Sequence, residues 1–138
     1  MTQSMEILVL DDERDAADLL SALLSLRLPG ASVRAAYTGN DAVAAGTAQR
    51  PDAAILDLEM AGLDGEGVAR ALRSAFPDSQ LLLIAVSGNT VRLAELRQSG
   101  IFDYLVSKPI DMAGLVEMLK GRGRPAGFPE PKGSKNAA

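Results

Sequence analysis

At 138 residues, 47% apolar and 23% charged, the chain has the size and composition of one globular domain and not those of a disordered segment. It holds no cysteine and no histidine, which excludes disulfides, thiolate chemistry, Ser-His hydrolysis, histidine-ligated zinc and service as a phosphohistidine carrier. The net charge of −4 is uneven: beyond Gly121, Arg122, Arg124, Lys132 and Lys135 oppose Glu130 alone, so the body carries −7, which argues against direct nucleic-acid binding.

The first apolar run, Ile7-Leu8-Val9-Leu10, reads as a strand covered on both faces, and Asp11 and Asp12 follow it. Ala16, Leu19, Leu20, Leu23 and Leu24 then recur at helical spacing until Pro29-Gly30 stops them. Val33 to Tyr37 is thinner, broken by Arg34, and suits an edge strand. Asp41 to Ala48 is a weak helix loosened by Gly46. Ala53-Ala54-Ile55-Leu56 is another buried strand, closed by Asp57. Val68, Leu72, Ala75 and Phe76 mark a helix that ends at Pro77.

The run Leu81 to Val86 ends in Ser87 and is the longest fully apolar stretch, far too short to span a bilayer. No secretory signal opens the chain, so no membrane association is expected and a cytoplasmic location is the default. Thr90 is the expected cap of a short helix through Gln98 that ends at Gly100. Tyr104-Leu105-Val106 is a fifth strand before Lys108-Pro109, and Asp111 caps a last helix whose inner face carries Met112, Leu115, Val116 and Leu119. Residues 1–120 thus form one domain. Residues 121–138, rich in Gly, Pro and Lys, are expected to be a disordered tail or linker.

Five β-then-α units predict an α/β fold, a doubly wound five-stranded parallel sheet with helices on both faces. Such sheets bind ligands at the carboxyl ends of their strands. Asp11, Asp12 and Asp57 all fall there, and three carboxylates in one crevice repel unless protonated or neutralised by a cation. Hard oxygen donors suit Mg²⁺. Taken singly, each acid could equally be a cap. Ser87 and Lys108 close two further strands, adding a hydroxyl and an ammonium of the kind that phosphoryl transfer needs.

The stretches Leu10-Asp11-Asp12, Pro51-Asp52, Ile55 to Met60, Leu63-Asp64-Gly65, Ser87 and Lys108-Pro109 resemble those of response-regulator receiver domains, from about Met5 to Lys120. The resemblance implies a flavodoxin-like strand order of 2-1-3-4-5. It implies that Asp57 is the phosphoacceptor, with Asp11, Asp12, Asp57 and the backbone carbonyl of Glu59 holding Mg²⁺. Ser87 and Lys108 would engage the phosphoryl group, and the Lys108-Pro109 bond would be cis. A histidine kinase or phosphotransfer protein would supply the phosphohistidine in trans. Output would pass through the fourth helix, fifth strand and fifth helix, a face that could also form a homodimer. Leu93 or Leu96 could serve a partner there, with at least one of them packing on the sheet.

Departures from the family pattern are Ala61 in place of proline and Gly88 in place of alanine. A third concerns Tyr104, the switch aromatic, which stands four residues before Lys108 instead of three. A bulge at Val106-Ser107 is expected to absorb the added residue and return Tyr104 to the face of Ser87. Two alternatives stay open: a small haloacid-dehalogenase-like phosphatase, which would want a general acid at Glu59, and a degenerate receiver acting as a scaffold.

Overall fold

In the computed structural model, which describes residues 5–121, strand and helix alternate through ten elements. They are β1 (Met5–Leu10), α1 (Arg14–Arg27), β2 (Ala31–Ala36), α2 (Gly39–Ala48), β3 (Ala53–Asp57), α3 (Gly65–Ala75), β4 (Leu82–Ser87), α4 (Thr90–Arg97), β5 (Tyr104–Ser107) and α5 (Met112–Lys120). All strands are parallel, in the order β2-β1-β3-β4-β5, the flavodoxin-like arrangement expected. The expected tail, 121–138, lies outside the described residues except for Gly121, which ends α5. Among the described residues no helix is long and apolar enough to cross a membrane.

Strand side chains alternate between two faces, so the apolar runs feed two separate cores. Leu8, Leu10, Leu56, Leu83 and Leu105 pack with Leu72 of α3 and with Leu93 and Leu96 of α4. Ile7, Val9, Ile55, Ile84 and Val86 pack on the other face with Leu24 of α1 and with Leu115 and Leu119 of α5. At about 1.5–3 kcal/mol for each large apolar side chain fully buried, these layers are the main drive to fold. Both Leu93 and Leu96 are therefore core residues, and neither is offered to a partner. Val91 is the large apolar side chain that α4 exposes.

The starts of α2, α3 and α4 are settled by side-chain caps, which satisfy backbone N–H groups that have no partner within the helix. Thr38, Asp64 and Asn89 accept from the N–H groups of Asp41, Gly67 and Arg92. The cap of α4 is thus Asn89, and Thr90 is its first helical residue. Asp111 occupies the N-cap position of α5 without a side-chain bond. Where α3 begins, a Cβ on Gly65 would lie 2.5 Å from the Asp57 carbonyl oxygen, so glycine alone lets the helix start against the end of β3.

The fifth strand overturns the expected bulge. Tyr104, Leu105, Val106 and Ser107 pair without interruption with Ile84, Ala85, Val86 and Ser87. The Lys108 N–H then donates to the Ser87 carbonyl at 3.0 Å. Leu105 consequently shares the α4-side core, while Tyr104 packs on the α1–α5 side. The switch role expected of Tyr104 falls with the bulge that supported it.

The register is set upstream of the strand. The Asp103 N–H donates to the Leu83 carbonyl at 2.8 Å, and its carboxylate accepts from the Leu83 N–H at 2.8 Å. Arg73 of α3 adds an ion pair to the same carboxylate at 3.0 Å and donates to the carbonyls of Ile101 and Leu81. Phe102 is buried in the α4-side core. With both residues before Tyr104 pinned, a bulge would only leave a ladder group unpaired and carry a phenol into the apolar layer that Leu105 fills.

Candidate functional site

The sheet delivers the polar residues to one end. Asp11 directly follows β1, Asp57 is the last residue of β3, Ser87 is the last of β4, and Lys108 directly follows β5. Carboxylate oxygens of Asp11, Asp12 and Asp57 all lie within 4.8 Å of one another. Lys108 Nζ stands 3.2 Å from Asp57 Oδ2, and the Lys108–Pro109 peptide bond is cis. Ser87 is wholly buried, and its Oγ accepts from the Asn89 N–H at 2.9 Å. Tyr104 is the one expected site residue that the structure turns away, onto the opposite face of the sheet from Ser87.

Asp57 is 4% exposed, and the Glu59 N–H donates to its Oδ1 at 2.9 Å. Burial raises its carboxyl above the usual aspartate range. The Glu59 N–H and the Lys108 ammonium oppose that rise, while the charge of Asp11 adds to it. For Lys108, partial burial disfavours the ammonium, but Asp57, Asp11 and Glu59 outweigh it and hold the pKa above the ordinary lysine value. The site is thus a fixed cation facing three crowded carboxylates. Three oxygen donors at this spacing, one of them buried, fit a hard divalent cation such as Mg²⁺, which takes oxygen ligands and keeps waters for phosphate oxygens.

Residues 7–120 match the family model of the response regulator receiver domain. The chain belongs to that family. Among curated proteins it is similar to the transcriptional regulatory protein PrrA of Mycobacterium tuberculosis, with 42% identity over 118 residues, 85% of this chain and 49% of that protein. The probable transcriptional regulatory protein TcrX of the same organism is 34% identical over 119 residues, 86% of this chain and 49% of its own length. The chain spans about half the length of the curated relatives it matches.

Among solved structures, the receiver domain of a DNA binding response regulator from Colwellia psychrerythraea superposes with a TM-score of 0.74 at 26% identity, covering 84% of this chain and 95% of that one. A CheY-like receiver domain protein from Methanospirillum hungatei gives 0.76 at 20% identity, over 86% and 92%, a likeness of fold alone. The chain is a receiver, a signalling domain of two-component response regulators.

In this receiver, sequence reasoning missed the contacts of the Glu59 side chain, having credited its carbonyl as a metal ligand and its carboxyl only as the general-acid position of the phosphatase alternative. Its Oε1 accepts from the Gly88 N–H at 2.9 Å and approaches Lys108 Nζ at 3.7 Å. Arg92 was missed as well. It donates to the Leu58 carbonyl at 3.2 Å and pairs with Asp64 at 2.9 Å and Glu66 at 3.0 Å, tying α4 to the loop after Asp57 and to the start of α3. No local pattern marks either residue, because each partner is more than twenty positions away in the chain.

Proposed function

We propose that this receiver takes a phosphoryl group onto Asp57 from a phosphohistidine that a histidine kinase or phosphotransfer protein presents in trans. The observation that carries the reading is a buried carboxylate at a strand end with two further carboxylates within 4.8 Å and an ammonium at 3.2 Å. Asp11, Asp12, Asp57 and the backbone carbonyl of Glu59 would hold Mg²⁺, which when bound neutralises the acids and the phosphoryl oxygens. The carboxylate of Asp57 attacks phosphorus, the new O–P bond forming as the P–N bond breaks and the imidazole leaves with the electron pair. Lys108 stabilises charge on the equatorial oxygens and holds Asp57 in line.

Ser87 then turns its hydroxyl to the phosphoryl group, releasing the Asn89 N–H at the head of α4 and biasing α4, β5 and α5 between two arrangements. Water later hydrolyses the acyl phosphate and restores the free carboxylate, the only turnover assigned to the domain. We assign the receiver unit to residues 1–120, a linker or terminus to 121–138, and the location to the cytoplasm. By analogy with PrrA and TcrX, the output is transcriptional, and the acidic body leaves any DNA contact to another segment or partner. A homodimer through α4, β5 and α5 fits the same output face.

Intact-mass measurement with Mg²⁺ and acetyl phosphate tests this. One added phosphoryl group is expected on the wild type and none on Asp57→Asn. Modification of that variant at another acid, or steady release of phosphate from a phosphomonoester, overturns the reading. Ser87→Ala is expected to accept the group yet lose most of the change in amide exchange over residues 87–98. An unaltered response in that variant removes Ser87 from the coupling.

A further inference from the structure

Glu59 stands two residues beyond Asp57 and reaches back over the site. Its carboxylate accepts from the Gly88 N–H at 2.9 Å and lies 3.7 Å from Lys108 Nζ, the ammonium that also pairs with Asp57. The same carboxylate is held below the usual glutamate range, first by the Gly88 N–H and then, against the opposing effect of burial, by the Lys108 charge. A Cβ on Gly88 would meet Glu59 Oε1 at 3.6 Å, so the carboxylate rests directly over that residue.

Two donors therefore converge on one side-chain anion: the Gly88 backbone N–H at the head of the β4–α4 loop and the Lys108 ammonium. A phosphoryl group on Asp57 needs donors of these two kinds at this place, because its equatorial oxygens carry the charge of the transferred group. Two anions cannot share the set. Like charges a few ångströms apart repel, and the single Gly88 N–H serves one strong acceptor at a time.

We propose that the Glu59 carboxylate is a tethered occupant of the phosphoryl seat, holding Gly88 and Lys108 in the unmodified domain and yielding them when Asp57 is phosphorylated. This rests on the reading of Asp57 as phosphoacceptor. Glu59 is a positioning residue in this scheme. It touches no reacting atom, but it keeps the β4–α4 loop in one arrangement and raises the donor strength needed to fill the site.

The test uses Mg²⁺ with beryllium trifluoride, a probe that joins a carboxylate oxygen and copies the phosphoryl group without a leaving group. Half-saturation of Glu59→Ala is expected at about one-tenth of the wild-type concentration, the worth of one charge-assisted hydrogen bond discounted for a side chain 42% exposed. Glu59→Gln, which keeps an acceptor but no charge, is expected between the two. In the free protein, amide exchange at Gly88 is expected to be about tenfold faster in Glu59→Ala, and the difference is expected to vanish once the probe is bound.

Wild-type affinity or weaker in both variants, with the wild type itself responding, overturns the tethered occupant and leaves Asp57 its role. Unchanged Gly88 exchange in the free Glu59→Ala protein does the same. A wild type that responds to the probe no better than Asp57→Asn overturns the phosphoacceptor reading and this inference with it.

Discussion

β3 and β5 each carry one half of the Asp57–Lys108 pair, and they are held by different means. β3 lies between β1 and β4, has every residue buried, and is paired along both edges. β5 is the last strand of the sheet, has one paired edge, and buries only Leu105 fully. A central strand takes its register from two neighbours and two cores at once, so a slip by one residue would send every side chain to the wrong core and Asp57 to the wrong face. An edge strand has half of those constraints. Here the remainder comes from side chains outside the strand, namely Asp103, Arg73 and Phe102. Asp57 is positioned by the sheet itself, and its counter-cation by pins.

The sharpest break of that comparison is Leu56→Ala. Leu56 is fully buried in β3, so the variant is expected to lose about 2–5 kcal/mol of unfolding free energy in urea. That loss should be global, with amides of β1, β3 and β4 exchanging faster together. A loss confined to β3 would contradict the account of a central strand.

Arg73→Ala comes next. It removes the ion pair to Asp103 and the bonds to the Ile101 and Leu81 carbonyls, all from a mostly buried guanidinium, and is expected to cost about 1–3 kcal/mol. Its exchange signature should be local, at Asp103 to Lys108, with β3 amides little changed. If β3 and β5 loosen together, the pins belong to the whole sheet and the contrast fails.

The smallest expected effect is that of Tyr104→Phe, under about 1 kcal/mol. Because Tyr104 faces α1 and α5, the phosphorylation-linked exchange change across residues 87–98 should match that of the wild type. Leu105→Ala, on the α4 side with Leu93 and Leu96, should diminish that change. The reverse outcome would return the switch to Tyr104 and discredit the unbroken register.

Much of the molecule is legible residue by residue. Ile7 to Leu10, Ala53 to Leu56 and Leu81 to Val86 are apolar runs that can be satisfied only by a sheet covered on both faces, and the helical stripes between them force parallel crossovers. Parallel strands put all carboxyl ends on one side, so Asp11, Asp12, Asp57, Ser87 and Lys108 follow as neighbours from their places at run ends. These are short-range signals, each readable within about a dozen residues. The side of the sheet that Tyr104 faces, the burial of both Leu93 and Leu96, and the seat of the Glu59 carboxylate are of another kind. Each depends on a partner distant in the chain, such as Arg73 for the strand or Gly88 for the carboxylate, and is chosen by competition between contacts that exist only once the chain has folded.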